Sequence, residues 1–153
     1  MAATSKYRSY TFDAGMQLKD AGLVAASAAA QVASAAQIID LGGADPFFGI
    51  AVIDVTAIEV DSSNELYRIQ IQGSNSSSFA GAAAAVLGEI ELGHATGLAA
   101  GLATTTTGRF EVPFLNVQNE TAYRYLRAYT VISGTIATGI NWKGFIGHVP
   151  MGF

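Results

Sequence analysis

The side chains able to do acid–base or metal chemistry are few and scattered. His94 and His148 are the only histidines, cysteine is absent, and twelve acidic residues stand against eight basic ones. The two histidines are not at a metal-ligand spacing. Glu89 and Glu91 would share one face of a strand about 7 Å apart, close to the carboxylate separation of a glycosidase. Alternating charge along a strand is also what a solvated sheet face shows, and that is the simpler reading. Asp54, Glu59, Asp61 and Glu65 gather acid around a turn that could attract calcium, yet the alternating oxygen ligands and the glycine of an EF-hand loop are missing.

The glycine-centred motifs fail in the same way. No two glycines are spaced as in a dinucleotide fingerprint, and none of the three lysines follows a glycine, as a phosphate-binding loop requires. Gly73-Ser74-Asn75-Ser76-Ser77 has the outline of a nucleophile elbow, but Asn75 stands where the serine is needed. Asn75-Ser76-Ser77 and Asn119-Glu120-Thr121 match glycosylation acceptors by chance, since residues 1–10 carry Lys6 and Arg8 without the apolar block of a secretory leader. The chain is therefore expected to be no enzyme, with no catalytic residue, no cofactor and no metal.

Composition points to surfaces instead. A chain of 153 residues suits one domain. Only 13% of them are charged, against about 25% in an average soluble domain, so much of the surface must be uncharged and suited to permanent partners. The net charge of −4, without any basic run, argues against a nucleic-acid partner. The uncharged stretch 21–39 is dominated by alanine and interrupted by Ser27, Gln31, Ser34 and Gln37, so no membrane span is expected.

The elements that would position any functional group read as β-structure. From Gly49 onward, short β-branched or aromatic runs alternate with Gly, Ser, Asn and Thr clusters. Strands are predicted at 37–41, 50–60 (one long strand or a bent pair), 66–72, 86–92, 109–115, 123–132 and 136–146. Tyr67, Ile69 and Ile71 share one face, as do Phe110, Val112 and Phe114, and as do Val86, Ile90 and Leu92. Ser133-Gly134-Thr135 is predicted as a short hairpin loop, and 94–108 as a long small-residue loop of the kind used at interfaces. About eight strands without intervening helices predict an all-β fold, a jelly-roll-like antiparallel sandwich. Residues 1–35 are expected to form an N-terminal arm and Ala-rich segment, 36–148 the sandwich and 149–153 an apolar tail. Alanine favours a helix at 21–36, while the lack of large apolar anchors favours an extended arm.

One strand stands out. Tyr123, Tyr125, Arg127, Tyr129 and Val131 alternate with Arg124, Leu126, Ala128, Thr130 and Ile132, and neither set is plainly solvent-facing. Tyrosine and arginine tolerate desolvated interfaces well, so one face could meet a partner; the alternative is that the tyrosines are core with their hydroxyls at the rim. The two ends are also apolar or aromatic, through Tyr7, Tyr10 and Phe12 and through Val149-Pro150-Met151-Gly152-Phe153. The interface candidates are Lys6, Tyr7, Arg8, Tyr10, Tyr123, Tyr125, Arg127, Tyr129, Met151 and Phe153.

Four segments occur in an order that resembles the jelly-roll cement, or decoration, proteins of tailed bacteriophages. They are Phe12-Asp13-Ala14, Ile38-Ile39-Asp40-Leu41-Gly42, the run from Tyr67 to Ser74 leading to Phe79, and Tyr123-Arg124-Tyr125-Leu126-Arg127 with Thr130 and Gly134. The resemblance implies a jelly roll that assembles as a homotrimer and binds the major capsid protein on the outer capsid surface, stabilising the shell against internal DNA pressure. It implies a virion location, with host cytoplasm during assembly, and no catalytic residues. The Ala-rich segment is longer than the family's pattern. The other reading is a carbohydrate- or receptor-binding jelly-roll module of a virion, motivated by the lone Trp142 and the tyrosine stripe.

Overall fold

The computed structural model describes residue 10 and residues 12–81 and 84–147. After a 3-10 turn at Ala14–Met16 come fourteen strands: β1 (Gln17–Lys19), β2 (Leu23–Val24), β3 (Ala28–Ala29), β4 (Gln31–Val32), β5 (Ala35–Ala36), β6 (Ile39–Asp40), β7 (Phe48–Ile58), β8 (Leu66–Ser74), β9 (Ala85–Gly93), β10 (Gly108–Leu115), β11 (Val117–Gln118), β12 (Thr121–Ala122), β13 (Tyr125–Ser133) and β14 (Ile140–Gly147). The first sheet runs β1-β14-β7-β10, with β2 also on β14, and the second runs β3-β13-β8-β9, with β6 also on β13. Every pairing is antiparallel. The earliest strands lie beside the latest ones, and the chain passes repeatedly from one sheet to the other. That order is a jelly roll, the architecture expected of the chain.

Period-two alternation builds the core. Ala51, Ile53 and Val55 of β7 and Phe110, Val112 and Phe114 of β10 face Tyr67, Ile69 and Ile71 of β8, Ile90 and Leu92 of β9, and Leu126 and Ala128 of β13. At the centre Trp142 of β14 is fully buried, and its Nε1 donates to Thr130 Oγ1 of β13 at 3.2 Å, joining the two sheets. Lys19, 5% exposed, closes the edge beside it. Its Nζ donates to the carbonyls of Asp20, Gly22 and Trp142 at 2.9–3.0 Å and lies 5.4 Å from the centre of the Trp142 ring. A second, smaller apolar cluster covers the outer face of the first sheet, where Tyr10 packs on Ile50, Val52 and Phe145, and Phe12 meets Phe145 edge to face at 5.4 Å.

Three expectations are corrected. Residues 21–36 are neither a helix nor a free arm, because β1 and β2 join the first sheet and β3 the second, so the sandwich begins before residue 36. Small side chains suit this crossing: Ala30 is buried, its amide donates to Ala128 O and its carbonyl accepts the Gln37 amide. The turn at 133–135 is no hairpin. β13 and β14 belong to opposite sheets, and 134–139 carries the chain between them, so the last strand starts at Ile140 rather than 136. Gly139 makes this crossing with φ +90°, where a Cβ would overlap the carbonyl of Val24. Val86 is 38% exposed, because the β8–β9 register shifts between Ile71 and Gln72 and turns Leu87 inward in its place. Of the two readings of 50–60, the single long strand is the one observed; it runs Phe48–Ile58, with Thr56 as an extra residue opposite the step from Asn141 to Trp142.

Trp142→Ala empties the largest side-chain volume between the sheets and should cost about 3–5 kcal/mol of unfolding free energy, measured by urea titration. The β4–β5 turn offers the opposite change. Ala33 and Ser34 sit there at φ 51° and 63°, and Ser34 is exposed. Ser34→Gly should therefore raise stability by about 0.5–1 kcal/mol, since glycine carries no penalty in this region.

Candidate interface on the second sheet

The groups that could have formed a catalytic or metal site are separated or already engaged. His94 Nδ1 accepts the Thr96 amide at 3.2 Å and lies 3.1 Å from Thr96 Oγ1, while His148 lies outside the described residues. Asp54 leaves the acidic group to form a two-pronged ion pair with Arg109, at 2.6 and 2.9 Å. Glu59, Asp61 and Glu65 do converge, with carboxylate oxygens within 4.8 Å of one another. Glu59 accepts the amides of Ala137, Thr138 and Gly139 and the Thr138 hydroxyl, and Glu65 accepts the amides of Ser62 and Asn64. Amides of Gly139, Ala137 and Thr138 hold the Glu59 pKa below the ordinary glutamate value. Burial works to raise that of Glu65, and the amides of Ser62, Glu65 and Asn64 outweigh it. Asn64 continues the link through Thr135, whose amide and hydroxyl it engages at 2.9 and 3.1 Å. Glu59 and Asn64 thus tie the 59–65 turn to the 134–139 crossing at one end of the sandwich, and Glu65 braces the turn itself.

Trp142 is wholly internal, so it offers no ring to a sugar and the main support for carbohydrate binding is removed. The outer face of the second sheet is different. Because Leu126, Ala128 and Thr130 point into the core, Tyr125, Arg127, Tyr129 and Val131 point outward, and all four are half-buried. The tyrosines at 125 and 129 are thus not core residues. Beside them on β8 lie Arg68, Gln70 and Gln72, and beyond these Glu89 and Glu91 of β9, in the register Val131↔Arg68, Tyr129↔Gln70 and Arg127↔Gln72. Glu89 is exposed and Glu91 half-buried, so the pair read as a solvated strand face lies on this outer surface.

A ladder of side chains crosses this face. Arg127 Nε donates to Gln72 Oε1 at 2.9 Å, Gln72 Nε2 donates to Gln70 Oε1 at 2.9 Å, and Gln70 Nε2 donates to Glu89 Oε2 at 2.6 Å. The Arg127 guanidinium carbon sits 4.4 Å from the Phe79 ring centre and 5.3 Å from that of Tyr129. Burial lowers the Arg127 pKa and the neighbouring Tyr129 acts the other way, the mark of a cation that has lost water. At the end of the same strand Arg124 grips Asp40 through two hydrogen bonds, at 2.7 and 3.0 Å, and its guanidinium lies 5.2 Å from the Tyr125 ring centre.

The other interface candidates fall elsewhere. Tyr123 does not continue the outer stripe; its side chain occupies the space a Cβ on Gly73 would need, beside Leu87. Tyr10 packs on the opposite sheet of its own chain. Lys6, Tyr7, Arg8, Met151 and Phe153 lie outside the described residues. Sequence reasoning missed Phe79, which reaches Arg127 from a loop, and Gln70 and Gln72, whose regular alternation with Ile69 and Ile71 was the available signal.

The Glu59 contacts set a pH dependence. The folded pKa lies below the unfolded one, so the unfolded chain takes up the proton first as acid is added. The stabilisation is complete above about pH 4.5 and fades as pH falls through the lower folded value. Glu59→Gln should be less stable than wild type at pH 7, and the gap should narrow steadily below pH 4.5 in parallel urea titrations. A gap independent of pH would show that the charge on Glu59 is not what holds the crossing.

In comparison with known proteins, the chain matches no family model, and no curated protein is detectably similar to it.

Proposed function

We propose that this chain is a structural virion protein, a capsid cement or decoration protein. In this reading it binds the outer surface of the major capsid shell as a homotrimer and stabilises the shell against internal DNA pressure. One observation carries the proposal: a jelly roll low in charge presents Tyr125, Arg127 and Tyr129, half-buried, on an outer sheet face. Such a face loses little water on docking, and aromatic and arginine anchors are the residue types that dominate interface free energy. The order of Tyr67 to Ser74, Phe79 and Tyr123 to Arg127 in the sequence, which resembles the cement proteins, supports the same reading.

The mechanism is mechanical. A contact of only about 4 kcal/mol corresponds to millimolar affinity. Three such contacts joined in one trimer act together, and shell symmetry repeats them over the whole particle. Resistance to expansion then grows with copy number, without any single tight bond.

Native mass spectrometry of the purified chain should show a trimer, and particles lacking it should release DNA at a lower temperature than particles to which it has been restored. A chain that remains monomeric and leaves the release temperature unchanged would overturn the proposal.

A further inference from the structure

The described arginines divide into two kinds. Arg109 and Arg124 are each gripped by a carboxylate, Asp54 and Asp40, through two hydrogen bonds. Arg68 and Arg127, both on the outer face of the second sheet, have no carboxylate at ion-pair distance among the described residues. The Nε of Arg68 is buried and makes no hydrogen bond to any described residue, and Glu91 stands across from it on β9. Arg127 spends its Nε on Gln72 and makes no hydrogen bond from its two Nη nitrogens to any described residue. Counting along the strands, the two arginines lie about 14 Å apart, with Tyr129 and Gln70 between them.

An arginine held between two rings, with one nitrogen pinned and its terminal donors open, is already arranged for a two-pronged contact. The ordering of its side chain is complete before a partner arrives, so less entropy is lost on binding. A cation partly stripped of water without an acceptor is costly, and an incoming anion relieves that cost. Glu91 lies directly across from Arg68 in the strand register and Glu89 across from Gln70, so they repel a polyanion such as nucleic acid, whereas a single carboxylate can reach Arg127, which pairs with Gln72, and stay clear of both glutamates.

We infer that Arg127 is a carboxylate-reading arginine, and that the partner of this face is a protein surface bearing acidic side chains. The inference rests on the reading that this face is where the chain meets another protein, and it deepens that reading by naming the chemistry on the other side. Gln72 and Gln70 are positioning residues, holding Arg127 through the ladder that ends at Glu89.

The test uses the full chain, labelled with nitrogen-15, and an acetylated and amidated hexaglutamate peptide as probe at low ionic strength. The arginine Nε–H signal of Arg127 should shift saturably, while those of Arg109 and Arg124 stay in place. Arg127→Lys, which keeps the charge and loses the fork, should bind the peptide about tenfold more weakly. Arg124→Lys should bind it as wild type does, and unchanged backbone spectra would establish that both variants are folded. Gln72→Ala should weaken binding in the same direction as Arg127→Lys, a change that loss of charge cannot explain. Shifts that map elsewhere, equal binding by Arg127→Lys, or tighter binding of an oligothymidine than of hexaglutamate would each overturn the inference. Particle assays separate it from the cement reading. If the chain stabilises particles and Arg127→Lys does so equally well, the carboxylate inference fails alone; if hexaglutamate binds at Arg127 and the chain leaves particles unaffected, the cement reading fails alone.

Discussion

Trp142 reaches from one sheet to the other and gives its indole hydrogen to Thr130, and the orientation of the whole outer face follows from that contact. Thr130 must point inward to accept it. Strand side chains alternate, so Leu126 and Ala128 enter the core with it, and Tyr125, Arg127, Tyr129 and Val131 are driven outward. A register slip of one residue would put Arg127 into the core, where an unpaired guanidinium is far more costly than a lost methyl contact. The internal tryptophan and the external arginine are therefore two results of one register. Lys19 secures the arrangement from the edge, since its ammonium holds the Trp142 carbonyl and the β1–β2 turn together.

The ends of the sandwich show a different kind of restraint. A jelly roll must carry its chain across the gap between sheets several times, and each crossing leaves backbone amides without ladder partners. Here carboxylates supply the acceptors: Glu59 for the 137–139 amides, Glu65 for 62 and 64, and Asp20 for Ala33 at 2.7 Å. Asn116 does the same in neutral form, accepting the Phe47 amide and donating to the carbonyls of Asp45 and Tyr123. In a chain this poor in charge, several of the acidic residues are explained by backbone amides rather than by catalysis. That also accounts for two members of the acidic cluster, Glu59 and Glu65, whose oxygens already hold amides.

Long strands were legible in the sequence because their periodicity is. Tyr67-Ile69-Ile71 and Phe110-Val112-Phe114 face the core as their alternation requires, and the all-β class follows from several such runs. Strands of two or three residues have no period to read, so β1 to β5 were invisible and their alanines suggested a helix or an arm. The 134–139 crossing failed for another reason: Ser133-Gly134-Thr135 has hairpin composition, and only pairing with β3, β6, β8, β7 and β2 decides that its flanking strands enter different sheets. Leu87 and Val86 exchanged faces through a bulge that no local rule announces. For the candidate interface, the stripe of Tyr125, Arg127 and Tyr129 was legible, whereas the Phe79 ring over Arg127 depends on loop geometry and was not.

The organisation of the outer face bears on why it should be adhesive rather than merely solvated. An exposed arginine in water has no reason to be fixed, and ordering its side chain costs on the order of 2 kcal/mol. Arg127 is nonetheless fixed three ways, by two rings and by Gln72, and Gln72 is in turn fixed by Gln70 and Glu89. A face serving only to meet solvent would gain little from this, because each link trades a bond to water for a bond to protein at a net gain of about 1 kcal/mol. A face that must bind repeatedly gains more, since side chains ordered in advance need not be ordered again at each docking. On the proposed reading the ladder is preparation for contact, and its open end at the Arg127 Nη donors is where that contact would be made.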